Sequence, residues 1–146
     1  MSHWLYKGEA FTDAPNEYFG FVYLIKNKKT GKKYIGRKYF GTTRRVKVKG
    51  KKRRKVIRKE SDWATYQGSS KSLQQDISRI GKRNFEFTIL IMGETKGQVN
   101  YLEENIHHRF HVSASDDFYN DCIGPRRFAK VRFDENVAKK INDIVV

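Results

Sequence analysis

The sequence predicts an α+β domain: a small three-stranded antiparallel sheet flanked by helices, with a basic insertion after the second strand. Three observations predict it. Two apolar β-type runs are joined by a short basic turn, a third run is β-branched and aromatic, and two further segments carry apolar residues at helical spacing. The chain has 146 residues, enough for one core and little more.

The first run, Phe19 to Lys26, is apolar at odd and even positions alike, which marks a strand covered on both faces. "KKYIGRKYF" is its antiparallel partner across "NKKTG", where Gly31 suits the left-handed position that closes such a turn. "SSKSLQQDISRIG" has serine caps, apolar Leu73, Ile77 and Ile80, and Gly81 as a stop, so it reads as a helix. "FEFTILIM" is the third strand. "TKGQVNYLEENIHHRF" places Val99, Leu102, Ile106 and Phe110 on one helical face, and "DENVAKKINDIVV" offers a last short helix over Val137, Ile141 and Ile144. These elements divide the chain into an N-terminal arm (1–18), a central domain (19–121) and a C-terminal extension (122–146).

If the turn pairs Asn27 with Lys32, opposite residues follow in register, so Tyr23 faces Gly36 and Tyr34 faces Ile25. The two tyrosines then share one sheet face as diagonal neighbours. A slip of one residue would separate them. Gly36 leaves space beside Tyr23, as a close ligand or backbone approach requires.

Charge points to the partner. Lys and Arg number 31 against 16 Asp and Glu, a net +15, which favours a polyanion and nucleic acid first. The excess is concentrated in "RRVKVKGKKRRKVIRK", residues 44–59, with 11 basic residues and no acidic one. Valines at 46, 48 and 56 suggest a β-ribbon, and Lys47, Lys49, Lys51, Lys52, Arg53, Arg54, Lys55 and Arg58 are the candidate nucleic-acid contacts. No apolar run approaches the ~20 residues of a membrane span, and the N-terminus lacks a signal-peptide layout, so a cytoplasmic protein is expected. Cys122 is the lone cysteine, which excludes an internal disulfide and any cysteine-based zinc cluster.

"FVY" followed by "YIG", with the tyrosines eleven residues apart, resembles the GIY-YIG nuclease family. "YIGRKYF", "ESDW" and "YQGSS" resemble its small free-standing, homing-type members from large tailed bacteriophages, which would place the protein in a host bacterial cytoplasm. The resemblance implies a DNA endonuclease with Tyr23, Tyr34, an arginine (Arg37 or Arg44), Glu103 and Asn120 as catalytic residues. It also implies that Tyr23 accepts a proton from the attacking water, Tyr34 orients the nucleophile or scissile phosphate, and an arginine clamps the phosphate. The family's first glycine is replaced by Phe21, with Gly20 just before it.

The chemistry needs these residue types. Phosphodiester hydrolysis requires a deprotonated water, a cation against developing charge and help to the departing oxygen. Glu103 is the candidate metal ligand, and an oxygen-only, partly hydrated site suits Mg2+, or Mn2+ in its place. Helical geometry favours Glu103 over Glu104, since Glu103 lies on the face of Val99 and Ile106, whereas Glu104 aligns with Asn100, His107, His108 and His111. His107 and His111 are read as surface or phosphate-facing rather than zinc ligands, and Trp4 and Trp63 as anchors of loops on the core. The alternative class is a non-catalytic nucleic-acid-binding or regulatory phage protein on the same fold.

Overall fold

The computed structural model describes residues 2–128 and 134–146. In chain order its elements are β1 (Leu5–Tyr6), β2 (Glu9–Ala10), β3 (Gly20–Asn27), β4 (Lys33–Tyr39), β5 (Gly41–Val46), β6 (Lys55–Glu60), α1 (Lys71–Ile80), β7 (Phe85–Gly93), α2 (Lys96–Arg109), β8 (Cys122–Ile123), β9 (Arg126–Arg127) and α3 (Glu135–Val145). A mixed five-stranded sheet runs β2-β1-β7-β3-β4, and β5–β6 and β8–β9 form separate two-stranded ribbons. No helix among the described residues is long and apolar enough to cross a membrane.

The predicted three strands are present, but the expected three-stranded sheet is extended to five. Leu5 and Tyr6 run parallel to Thr88 and Ile89 on β7, and β2 pairs outside β1. Trp4 explains the docking of this N-terminal segment: its indole is 1% exposed, and its Nε1–H donates to the Trp63 carbonyl at 2.6 Å. Two-residue strands carry no readable alternation, so nothing in the local pattern announces them.

The β3–β4 register is the expected one, with Tyr23 opposite Gly36 and Ile25 opposite Tyr34. Strand β3 lies between β4 and β7 and is buried on both faces. Phe21, Tyr23 and Ile25 pack with Trp4, Trp63 and the α1 residues Leu73 and Ile77, while Val22 and Leu24 pack on the other face with Val112 and the α2 residues Leu102 and Ile106. The sheet is therefore a middle layer with α1 on one side and α2 on the other. A bulge against β7 falls between Val22 and Tyr23, where it adds local twist beside the tyrosine.

Helix α1 begins and ends as expected: the Ser70 hydroxyl accepts from Leu73 N at 3.3 Å, and Gly81 follows the last turn at φ 103°. Helix α2 departs from expectation. Its buried residues are Val99, Glu103 and His107, while Phe110 caps the helix and is 56% exposed. Four-residue steps hold one face, so His107 shares the side of Glu103 rather than that of Glu104. Helix α3 forms over the expected apolar residues, yet Val137, Ile141 and Ile144 are all exposed.

Candidate active site

A cleft of about 560 Å³ opens at β4, the edge strand of the sheet, and its walls include Tyr23, Tyr34, Arg37, Glu103 and Asn120. Strand alternation sends Tyr34 to the α1 side, with Tyr23 from β3, and sends Arg37 to the α2 side, where it meets Glu103. Between them Gly36 has no side chain. A Cβ there would stand 2.5 Å from the Tyr23 hydroxyl and 2.7 Å from its Cζ, so the phenol occupies space that any other residue would fill. Gly68, at φ +83°, closes over both rings from the loop before α1.

The tyrosine rings are 6.1 Å apart between centroids, and the Tyr34 hydroxyl lies 3.1 Å from Ser69 Oγ. Burial, followed by the neighbouring Tyr34, pushes the Tyr23 phenol well above its ordinary value. Burial likewise raises Tyr34, against the opposing hydrogen bond from Ser69. Both phenols are thus protonated near neutral pH in this state.

Arg37 donates from Nη1 to Glu103 Oε1 at 2.6 Å and from Nε to the Tyr39 hydroxyl at 3.1 Å; Tyr39 in turn donates to Asn100 Oδ1. Burial works against the guanidinium charge, but the Glu103 carboxylate outweighs it and holds Arg37 further up. The Glu103 side chain is 7% exposed, and a carboxylate so placed is costly unless paired. Helical position alone suggested this placement for Glu103; its pairing partner was not readable. Glu104 is exposed. Arg44 lies on β5, and its side chain, like that of Arg58, falls outside the described residues.

Asn120 clamps the outer edge of β4. Its Oδ1 accepts from Ile35 N at 3.0 Å, and its Nδ2 donates to Ile35 O at 2.7 Å, so one side-chain amide supplies both bonds that a neighbouring strand would make. The strap before it does the same with backbone atoms: Lys33 N donates to Asp117 O at 2.9 Å and Tyr119 N to Lys33 O at 2.7 Å.

His107 corrects the expectation of a surface or phosphate-facing imidazole. It is 3% exposed, its Nε2 lies 2.8 Å from Ile35 O, and Gly124 N–H donates to its Nδ1 at 3.1 Å. An acceptor at Nδ1 and a carbonyl at Nε2 require the neutral ring with its proton on Nε2. Burial lowers its pKa, against the opposing pull of Glu103.

Sequence reasoning did not single out Lys38, Tyr39 or Tyr66, although all three line the cleft. Lys38 lies 3.9 Å above the Tyr66 ring and 2.6 Å from Asp62. The stretch "GRKY" was the available signal for two of them, since alternation keeps Lys38 on the face of Gly36 and Tyr39 on the face of Arg37; Tyr66 comes from the loop before α1. The candidate nucleic-acid residues of the basic run that are described, Lys47, Lys49, Lys51, Lys52, Arg53, Arg54 and Lys55, are all exposed. Their ribbon leaves the cleft directly, since Gly41, Thr42 and Ser61 at its base belong to the cleft wall.

Among the described residues, one buried carboxylate, Glu103, faces the cleft, and there is no cluster of three or more His, Cys, Asp or Glu residues that could hold a metal. A donor set of one carboxylate, phenol oxygens and open space fits a hard divalent cation that takes its other ligands from water and substrate phosphate. It does not fit zinc.

A paired-tyrosine hairpin, an α2 carboxylate and an asparagine on the strap, all bordering one cleft of an α+β domain, have the layout of a GIY-YIG domain. The family model described as "Putative endonuclease segE, GIY-YIG domain" matches residues 4–123, and the chain belongs to that family. The match begins at Trp4, so it takes in β1 and β2 as well as the motif-bearing strands. Comparison with curated proteins and with solved structures gives no significant match.

Proposed function

We propose that the chain is a metal-dependent DNA endonuclease that hydrolyses a phosphodiester bond in the cleft at β4. The observation that carries this reading is the meeting, at one sheet edge, of Tyr23 and Tyr34 from one face with Arg37 and Glu103 from the other.

The roles follow from position. Glu103 is the residue to hold the divalent ion, and with Arg37 it sets the polarity of the α2 wall. Arg37 is the phosphate clamp: Tyr39 and Glu103 accept from its Nε and Nη1 and hold the guanidinium at the cleft wall, and with the side chain one-third exposed its other N–H groups are left for a phosphate. Tyr34, at the mouth beside Ser69, orients the scissile phosphate or the water. Tyr23, once its phenol has lost its own proton to solvent, takes the proton of the attacking water at the phenolate oxygen. A divalent cation would act as a Lewis acid on the phosphate and add the positive charge that brings bound water and the nearby phenol down toward neutral pH. Asn120 and His107 do not need to touch substrate in this scheme; they hold the Ile35 peptide, and with it the strand that aims Tyr34 and Arg37.

Four proteins in a plasmid-nicking assay across a Mg2+ titration test the proposal. Tyr23→Phe and Glu103→Gln should lose at least roughly 10²-fold in rate, the range for removing a general base or a charge-stabilising group. Glu104→Gln should stay near the parent. Circular dichroism checks that each variant folds. A Phe variant that nicks at the parent rate, or the reverse ranking of the two glutamates, would refute the assignment.

A further inference from the structure

The β8–β9 ribbon belongs to none of the roles above, and its turn residues Gly124 and Pro125 line the cleft. Residues 117–120 run parallel to β4, with Phe118 opposite Lys33 and Asn120 bonded to Ile35. Cys122, the start of the ribbon, lines the same cleft as Arg37. The basic β5–β6 ribbon leaves the same end of β4 two residues beyond Tyr39. Two ribbons therefore border the cleft at one end of β4, one continuing the strand and one rising from the strap outside it.

The second ribbon is also held and charged. Gly124 N–H is bonded to the buried His107, and Gly124, at φ +55°, packs so closely on the Glu104 side chain that a Cβ there would collide with it. Arg126 and Arg127 on β9 are exposed; Arg127 meets Asp121 at 3.1 Å, in a pair whose side chains are 80% and 62% exposed. So exposed a pair adds little stability and leaves the guanidinium available to a stronger anion. The family match ends at Ile123, so both arginines lie beyond it.

We infer that the β8–β9 ribbon is a second DNA-backbone contact, with Arg126 and Arg127 binding phosphates across the cleft from the β5–β6 ribbon. The inference rests on the reading of the cleft as a DNA site. Arg37 lines the same cleft as the bases of both ribbons, so a backbone held by both would lie against the wall that carries the phosphate clamp. A ribbon fixed by a buried imidazole sets that position more firmly than the long basic arm, whose described ties, at Ser61 and Glu60, lie at its base.

The test is fluorescence anisotropy of a labelled short duplex with the full chain in EDTA, titrated between about 50 and 200 mM salt. Arg126→Gln/Arg127→Gln should lower the slope of log K against log salt by roughly 2, at about 0.9 per phosphate contact. Lys28→Gln/Lys29→Gln removes the same charge from the turn at the far end of β3–β4 and should leave the slope near that of the parent. Equal slopes for the parent and the arginine variant, equal losses in both variants, or a parent that does not bind the duplex would each overturn the inference. Because binding in EDTA needs no turnover, a parent that binds as expected but fails to nick with Mg2+ would count against the nuclease reading alone.

Discussion

β3–β4 and β5–β6 are consecutive antiparallel hairpins joined by a single residue, yet their side chains meet opposite environments. In the first, Phe21 and Val22 are 0% exposed and Tyr23 is 1% exposed; in the second, Val56 and Ile57 are 54% and 44% exposed. The first is held by neighbours on both faces and by β7 along one edge. The second is tied down at its base: Ser61 Oγ donates to Tyr39 O at 2.6 Å, Ser61 N to Phe40 O at 2.9 Å and Trp63 Nε1 to Glu60 Oε1 at 2.9 Å. A two-stranded ribbon standing alone is marginal in water, and one carrying this many cations repels itself. Rigid geometry thus resides where burial enforces it, and the charge resides where solvent or a polyanion can satisfy it.

The sharpest way to break this division is to crowd the buried hairpin at the glycine beside Tyr23. Gly36→Ala adds a methyl group against the Tyr23 phenol, and that ring cannot retreat, because Trp4, Tyr34 and Tyr66 surround it. We expect a loss of about 1–3 kcal/mol in stability from overpacking, and a fall in nicking of roughly 10²-fold as the phenol shifts. Denaturant melts and single-turnover nicking measure both; a variant with parental stability and rate would show that the space beside Tyr23 is not needed.

Loss of charge from the exposed hairpin should act on binding and leave the fold alone. Replacing Lys51, Lys52, Arg53 and Arg54 with Gln should reduce the salt slope by roughly 3 to 4, at about 0.9 per contact, with little change in melting temperature. Unchanged slopes in a filter-binding titration would reduce the run to a solvated insertion.

The smallest expected effect concerns acid stability on the buried side. His3 stacks on Phe87 at 3.9 Å between centroids and has its pKa lowered to about 4, by burial first and by Lys82 second. The unfolded chain then binds a proton near pH 6.5 that the folded chain refuses, so folding is favoured in full above that value and loses this contribution as pH falls toward 4. The site is half open to solvent, which reduces the effect. His3→Gln should lessen the fall in melting temperature between pH 7 and 4.5 by a few degrees at most. A fall as steep as that of the parent would place the acid sensitivity elsewhere, with His107 the next candidate, since burial lowers it too.

Patterns with a period and an end signal were legible: the β3–β4 register follows from the turn, and α1 follows from Ser70, its apolar spacing and Gly81. The same local logic placed Glu103 on the buried side of its helix. It failed for Phe110, because periodicity continues past the point where a helix stops, and Phe110 falls on the cap. It failed for His107 because a histidine amid polar neighbours reads as surface until its two partners, Ile35 O and Gly124 N, arrive from distant segments. Trp4 was legible as an anchor on the core, and it is buried there, but nothing around it announced that Leu5 and Tyr6 would join the sheet beside β7.

The sequence by itself determined which residues alternate, where the turns fall, and that an excess of +15 is concentrated in one stretch. These are local properties, written in spacing and charge. Only the tertiary structure decided that Arg37 pairs with Glu103, 66 positions away, that Asn120 stands in for a missing strand beside Ile35, and that two ribbons border one cleft. Such partnerships are set by which sheet edge stays open and which helix covers which face, and those depend on packing among segments that no local pattern connects.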